Sequence, residues 1–156
     1  MNLTAAAVLA VSYVALITAH EVADHWLQTP CQAMTKGGSG WAARAACARH
    51  VATLTVSKVA ALLVPFLMFH LPIRPLWWAV GLGIDAVSHY WADRRTTLRR
   101  LAELCGPGKL AFYNVGSPRQ GKDDNPSTGT GAYLLDQSWH KFFLYLTVLI
   151  LAGGAR

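Results

Sequence analysis

Three times in this chain an aspartate and a histidine stand four residues apart: His20 with Asp24, Asp85 with His89, and Asp136 with His140. On an α-helix that spacing puts both side chains on one face, one turn apart. It is also the spacing by which the two histidines of an H-E-x-x-H motif hold one zinc ion. One such pair carries little information. The whole chain has only 8 Asp and Glu and 6 His, so three pairs concentrate most of its chemistry in one pattern. Imidazole together with carboxylate suits zinc, iron or manganese, and a divalent ion with an open coordination position activates water for hydrolysis. With His50 as a fourth imidazole, the expected ligands are His20, Asp24, His50, Asp85, His89, Asp136 and His140, enough donors for two ions. Asp24, Asp85, Asp136 and His140 are the candidate acid–base groups. Lys58 lies eight residues after His50, about 80° further round a helix; it faces the site as a substrate or phosphate contact, or it pairs with an acid. Gln28, four residues after Asp24, is a second candidate contact for substrate, or a polar cap on the helix end.

The elements that must position these groups are long and apolar. Of 156 residues, 53% are hydrophobic and 14% charged, against about a quarter charged in an ordinary soluble domain. Disorder is excluded by the same figures. Four apolar runs, at about 3–26, 43–69, 76–93 and 132–152, approach the roughly 20 residues a helix needs to cross a bilayer. A loop of about 15 residues, a tight turn and a long polar loop over 94–131 join them. The expectation is an all-α, single-domain integral-membrane protein covering 1–156, a four-helix transmembrane bundle with long loops after helices 1 and 3. A cleaved signal peptide is the rival reading of the first run, but that run lacks a basic leader and a small-x-small cleavage site.

Charge fixes the orientation. Lys36, Arg44, Arg49, Arg94, Arg95, Arg99, Arg100, Lys109, Arg119, Lys122 and Lys141 cluster around the two long loops, whereas Arg74 and Arg156 stand on the other side. By the positive-inside rule the loops are cytoplasmic and both termini outside, in a multi-pass protein of the inner or plasma membrane. The net charge of +6 is then a topology signal, with no nucleic-acid partner expected. Spans one and three end at the cytoplasmic face and spans two and four begin there. The three pairs and His50 therefore share one layer, ~6 to 12 Å below that face.

Other residues are less informative. Cys31, Cys47 and Cys105 form neither a zinc knuckle nor a disulfide framework. His25 and His70 read as interfacial, and Arg94 to Arg100 as topology determinants. The stretch from Gly121 to Gly131 is either a lid over the site or ordinary turn chemistry.

Taken in order, His20-x-x-x-Asp24-x-Trp26-Leu27-Gln28, Asp85-x-x-x-His89 and Leu135-Asp136-Gln137-Ser138-Trp139-His140 resemble a family of bacterial and phage membrane proteins, domain of unknown function 3307. Asp123-Asp124-Asn125-Pro126 through Trp139-His140 is similar to its actinobacterial and actinophage members. The resemblance implies a small multispanning protein and no particular activity.

The function expected from the residues is an integral-membrane, metal-dependent hydrolase-like activity near the cytoplasmic leaflet. Its substrate would be a lipid-linked ester, phosphoester or amide, met in the lipid bilayer. The principal alternative is a non-enzymatic membrane assembly, interaction or holin-like phage protein with a structural Asp–His network. A proton or ion relay through the same acids and a soluble helical bundle are further alternatives.

Overall fold

Asn2 opens the first helix by accepting a hydrogen bond from the Ala5 amide at 3.2 Å, and a run of alanines, valines and leucines carries it forward. The computed structural model describes residues 2–117 and 129–155. Within them the chain is all-helical, with no strand. The elements are α1 (Leu3–Val22), which continues as a π-helical turn over Ala23–Leu27, then α2 (Pro30–Thr35), α3 (Gly40–Met68), α4 (Pro75–Asp93), α5 (Thr96–Leu104), α6 (Pro107–Tyr113) and α7 (Gly131–Gly154).

The four long helices α1, α3, α4 and α7 pack in a ring, each against the next, with α7 closing back onto α1. Close approach of α4 and α7 depends on Gly81: an added Cβ there would stand 3.2 Å from Thr147 Cγ2 and 3.3 Å from Leu151 Cδ1. Thr147 Oγ1 also donates to the Gly81 carbonyl at 3.1 Å.

The interior is divided along its length. Toward the chain termini it is an apolar core of Val8, Leu62, Phe66, Trp78, Val148 and Leu151, with Phe66 and Trp78 edge to face at 5.0 Å. At the opposite end, where α1 finishes and α7 begins, the buried residues are polar: His20, His50, His89, Asp93, Gln137 and His140. The outward faces reverse this logic. Val14, Val56, Val64, Val80, Val87, Phe142 and Leu149 are all exposed.

Leu3–Leu27 and Gly40–Met68 are long and apolar enough to cross a membrane, and only 28% of each apolar window is buried. A core helix of a soluble protein would be mostly buried. α4 and α7 are not among the helices that meet that test; α4 carries Asp85, Ser88, His89 and Asp93, and α7 carries Asp136, Gln137, His140 and Lys141.

The connections are more structured than their composition suggests. The polar segment 94–131, read from sequence as a loop, contains α5 and α6. α5 forms because Leu98 and Ala102 share a buried face, and Arg99 pairs with Glu103 at 3.1 Å on the other. The loop after α1 contains α2, started by Pro30 and a capping box in which Thr29 and Gln32 satisfy each other's backbone amides. The lid considered for Gly121 to Gly131, and the basic residues Arg119, Lys122 and Arg156, fall wholly or mostly outside the described residues.

Candidate metal centre

Four helices deliver four imidazoles to one layer: His20 from α1, His50 from α3, His89 from α4 and His140 from α7. The His89 and His140 rings stack at 3.9 Å. His20 lies 5.4 Å from His89 and 5.1 Å from His140 between centroids, and His50 lies 5.2 Å from His89. All four are buried, as their shared helix register demands.

The carboxylates come from the helix ends. His50 Nε2 is 3.1 Å from Asp24 Oδ1, 3.2 Å from His89 Nε2 and 3.4 Å from Asp93 Oδ2. His89 Nε2 is 3.2 Å from the same Asp93 oxygen. His140 Nε2 lies 3.4 Å from Asp136 Oδ2. Two overlapping ligand groups result, Asp24–His50–His89 and His89–Asp93–His140, and within each group the donor atoms lie within 4.8 Å of one another. Despite these separations, Asp24 Oδ1, Asp93 Oδ2 and His140 Nε2 make no hydrogen bond of acceptable geometry among the described residues.

Around this cluster is a polar collar. Lys36, from the segment following α2, holds Asp93 Oδ1 at 2.7 Å and approaches Asp24 Oδ1 at 3.6 Å. The Gln137 amide donates to Asp24 Oδ2 at 3.4 Å and to Asp136 Oδ2 at 3.5 Å. Lys36 is itself fixed by its backbone: Arg94 donates to the Lys36 carbonyl at 2.6 Å and to the Gly38 carbonyl, and Arg95 donates to the Ala33 carbonyl at 3.0 Å. These arginines thus clamp α2 and its following turn onto the end of α4, in addition to carrying charge.

Above the cluster opens a cavity of about 490 Å³ whose walls include Asp24, Asp93, Asp136, Gln28, Lys36 and Arg95. Gln28 Nε2 is buried there and has no hydrogen-bond partner among the described residues. His25 stands at its rim, its Nδ1 on the Glu21 carbonyl at 2.9 Å and its Nε2 3.3 Å from the Tyr133 hydroxyl.

Of the residues singled out by spacing, His20, Asp24, His50, His89, Asp136 and His140 meet in this layer, with Gln28 in the cavity wall. His20 is packed among the rings, but neither of its nitrogens has a hydrogen-bond partner among the described residues. Asp85 and Lys58 do not belong to the cluster. Lys58 Nζ binds Asp85 Oδ2 at 2.5 Å, with both side chains buried. Lys58 therefore fills the acid-pairing role rather than the substrate-facing one, and Asp85 spends its carboxylate on an ammonium rather than on a ligand group.

Two of the three expected Asp–His pairs are also re-partnered. The π turn begins at Ala23 and adds about one residue to the local repeat, so Asp24 meets His50 and Lys36 instead of His20. His89 pairs forward with Asp93 instead of back with Asp85. Asp93, Lys36 and Gln137 were not singled out by spacing. Asp93 was the findable one, since Asp85-His89-Asp93 continues a single row of four-residue steps.

Comparison with known proteins finds no matching family model, curated protein or solved structure. What the chain does must be read from the geometry of these side chains.

Proposed function

We propose that the chain is an integral-membrane, metal-dependent hydrolase-like protein that crosses the bilayer four times, with its polar layer near the cytoplasmic leaflet and both termini outside. Asp24, His50, His89 and Asp93 hold one divalent ion, zinc, manganese or iron. Asp93 and His140 offer donors for a second, with Asp93 shared.

One observation carries this assignment. Four of the six edges among these donor atoms measure 3.1 to 3.4 Å, and Asp24, His50 and His89 lie within 4.8 Å of one another; ligands about 2.0–2.1 Å from a tetrahedral ion are separated by about 3.3 Å. Two carboxylate oxygens and two imidazole nitrogens converge there, with at most one proton on each nitrogen. Lys36 supports the fit: by holding the outer oxygen of Asp93 it aims the inner one at the imidazoles, the usual task of a group behind a ligating carboxylate. The membrane assignment is supported by the apolar outward faces of all four long helices and by the basic residues gathered at one end.

A divalent ion at this point supplies Lewis-acid polarisation and a readily deprotonated water. The chain's own groups do the rest. Gln28 and Lys36 orient the substrate in the cavity, the buried histidine layer excludes bulk water from below, and Asp136, its side chain 25% exposed, takes the proton of water and returns it to the leaving group. The bond formed is from water oxygen to the carbonyl carbon or phosphorus; the bond broken is to the departing alcohol or amine. A lipid-linked ester, phosphoester or amide fits a cavity at this depth.

The test is turnover of long-chain esters, phosphoesters and amides by detergent-purified protein loaded with manganese or zinc. Chelation and Asp24→Asn are each expected to lower the rate by about a hundredfold or more, the scale of losing a group that stabilises the transition state. No turnover in any class, or turnover indifferent to Asp24→Asn, would contradict the proposal. The non-enzymatic alternative, a structural network within a membrane assembly, is favoured by the Lys58–Asp85 pair, which joins α3 to α4 away from the cavity.

A further inference from the structure

The cavity has an apolar neighbour. A groove of about 280 Å³ runs between α5 and α7, lined by Leu101, Ala102, Leu135, Trp139 and Phe142, with Cys105 and the cationic Lys109 also in its wall. Leu98 is a wall of both spaces, so one side chain separates the polar cavity from the groove. Successive positions of α7 divide between them: Tyr133, Asp136 and Gln137 face the cavity, and Leu135, Ser138 and Trp139 the groove. Charge at the cavity is equally specific. Asp24, Asp93 and Asp136 face Lys36 and Arg95, so one divalent ion among the carboxylates already makes the cavity net positive, and a second more so. Gln28 Nε2 adds a donor that has no partner among the described residues.

We infer that the substrate is an anionic amphiphile, a phosphoester of a long-chain alcohol, with its phosphate in the cavity beside Lys36, Arg95 and Gln28 and its chain over Leu98 in the α5–α7 groove. The inference rests on the metal assignment above, because without an ion the three carboxylates outweigh the two cations. Hydrolysis would join water oxygen to phosphorus, break the bond from phosphorus to the lipid oxygen, and pass a proton from water to the departing alkoxide, giving free alcohol and inorganic phosphate.

The groove contains its own reporter. Cys105 is exposed in the groove wall, whereas Cys31, also exposed, lies on α2 outside it, and Cys47 is buried. The experiment is maleimide alkylation of the full chain in detergent, with metal content measured on the same sample and dodecylphosphonate, whose carbon–phosphorus bond resists hydrolysis, as the probe. At ~10 times its Kd, the probe leaves about a tenth of the sites open, so Cys105 should react about tenfold more slowly while Cys31 is unchanged. Methylphosphonate and dodecyltrimethylammonium should not protect, and Arg95→Gln should weaken protection. Ser138→Trp, at an exposed position that fills the groove, should abolish it. Equal protection by dodecyltrimethylammonium, or none by dodecylphosphonate in protein that carries the ion, would overturn the substrate assignment. Protein that binds no ion would instead overturn the metal assignment, whatever the alkylation shows.

Discussion

A neutral imidazole nitrogen carries at most one proton, yet His50 Nε2 faces Asp24, His89 and Asp93 together at 3.1 to 3.4 Å. A hydrogen-bonded network has at most one proton on each imidazole nitrogen for these contacts and cannot serve them all in good geometry; in a buried site each unsatisfied polar group costs about 1–3 kcal/mol. A cation answers all of them at once. Lys58 and Asp85 make a useful contrast, because there one buried acid and one ammonium, 2.5 Å apart, answer each other and, among the described residues, no histidine nitrogen lies within 4.0 Å of the acid. That pair is structural. Removing one partner, as in Asp85→Asn, is expected to cost roughly 3–5 kcal/mol of stability, whereas the double replacement Lys58→Met with Asp85→Leu should be nearly neutral or stabilising. Thermal unfolding in detergent checks this; equal losses in the single and double variants would show that the pair does more than satisfy itself.

At the scale of elements, what the sequence makes legible is whatever follows helical periodicity. The register of His20, His50, His89 and His140 on four helices, and hence their meeting in one layer, follows from spacing and from where each apolar run begins or ends. Partner choice within the layer does not. The π turn over Ala23–Leu27 has no periodic signature, yet it redirects Asp24 from His20 to His50. Asp93 stands at the last residue of α4, beside Arg94 and Arg95, where charge reads as the end of a span; that it faces inward depends on Lys36, which arrives from α2 through the arginine clamp. Such contacts between distant segments lie beyond any local pattern. The short helices are a different case. Thr29-Pro30-x-Gln32 states the start of α2 in capping chemistry, and Leu98 with Ala102 opposite Arg99 and Glu103 states the amphipathic face of α5; polar composition masks both.

For the molecule as a whole, the division of the interior into an apolar half and a polar half gives the bundle a direction, and the basic residues give that direction a side. Cys31 and Cys105, both exposed at the polar end, are predicted to face the cytoplasm. A membrane-impermeant maleimide should label them in inverted vesicles but not in intact cells, and labelling from outside would reverse the topology. The function turns on whether the polar layer holds an ion, and metal content is its most direct test. Elemental analysis of protein purified in detergent is predicted to find about one to two zinc, manganese or iron ions per chain, retained in the Lys58→Met, Asp85→Leu double variant and lost in His50→Gln with Asp93→Asn. Wild-type protein without stoichiometric metal, or a metal content that the His50 and Asp93 substitutions leave unchanged, would contradict it.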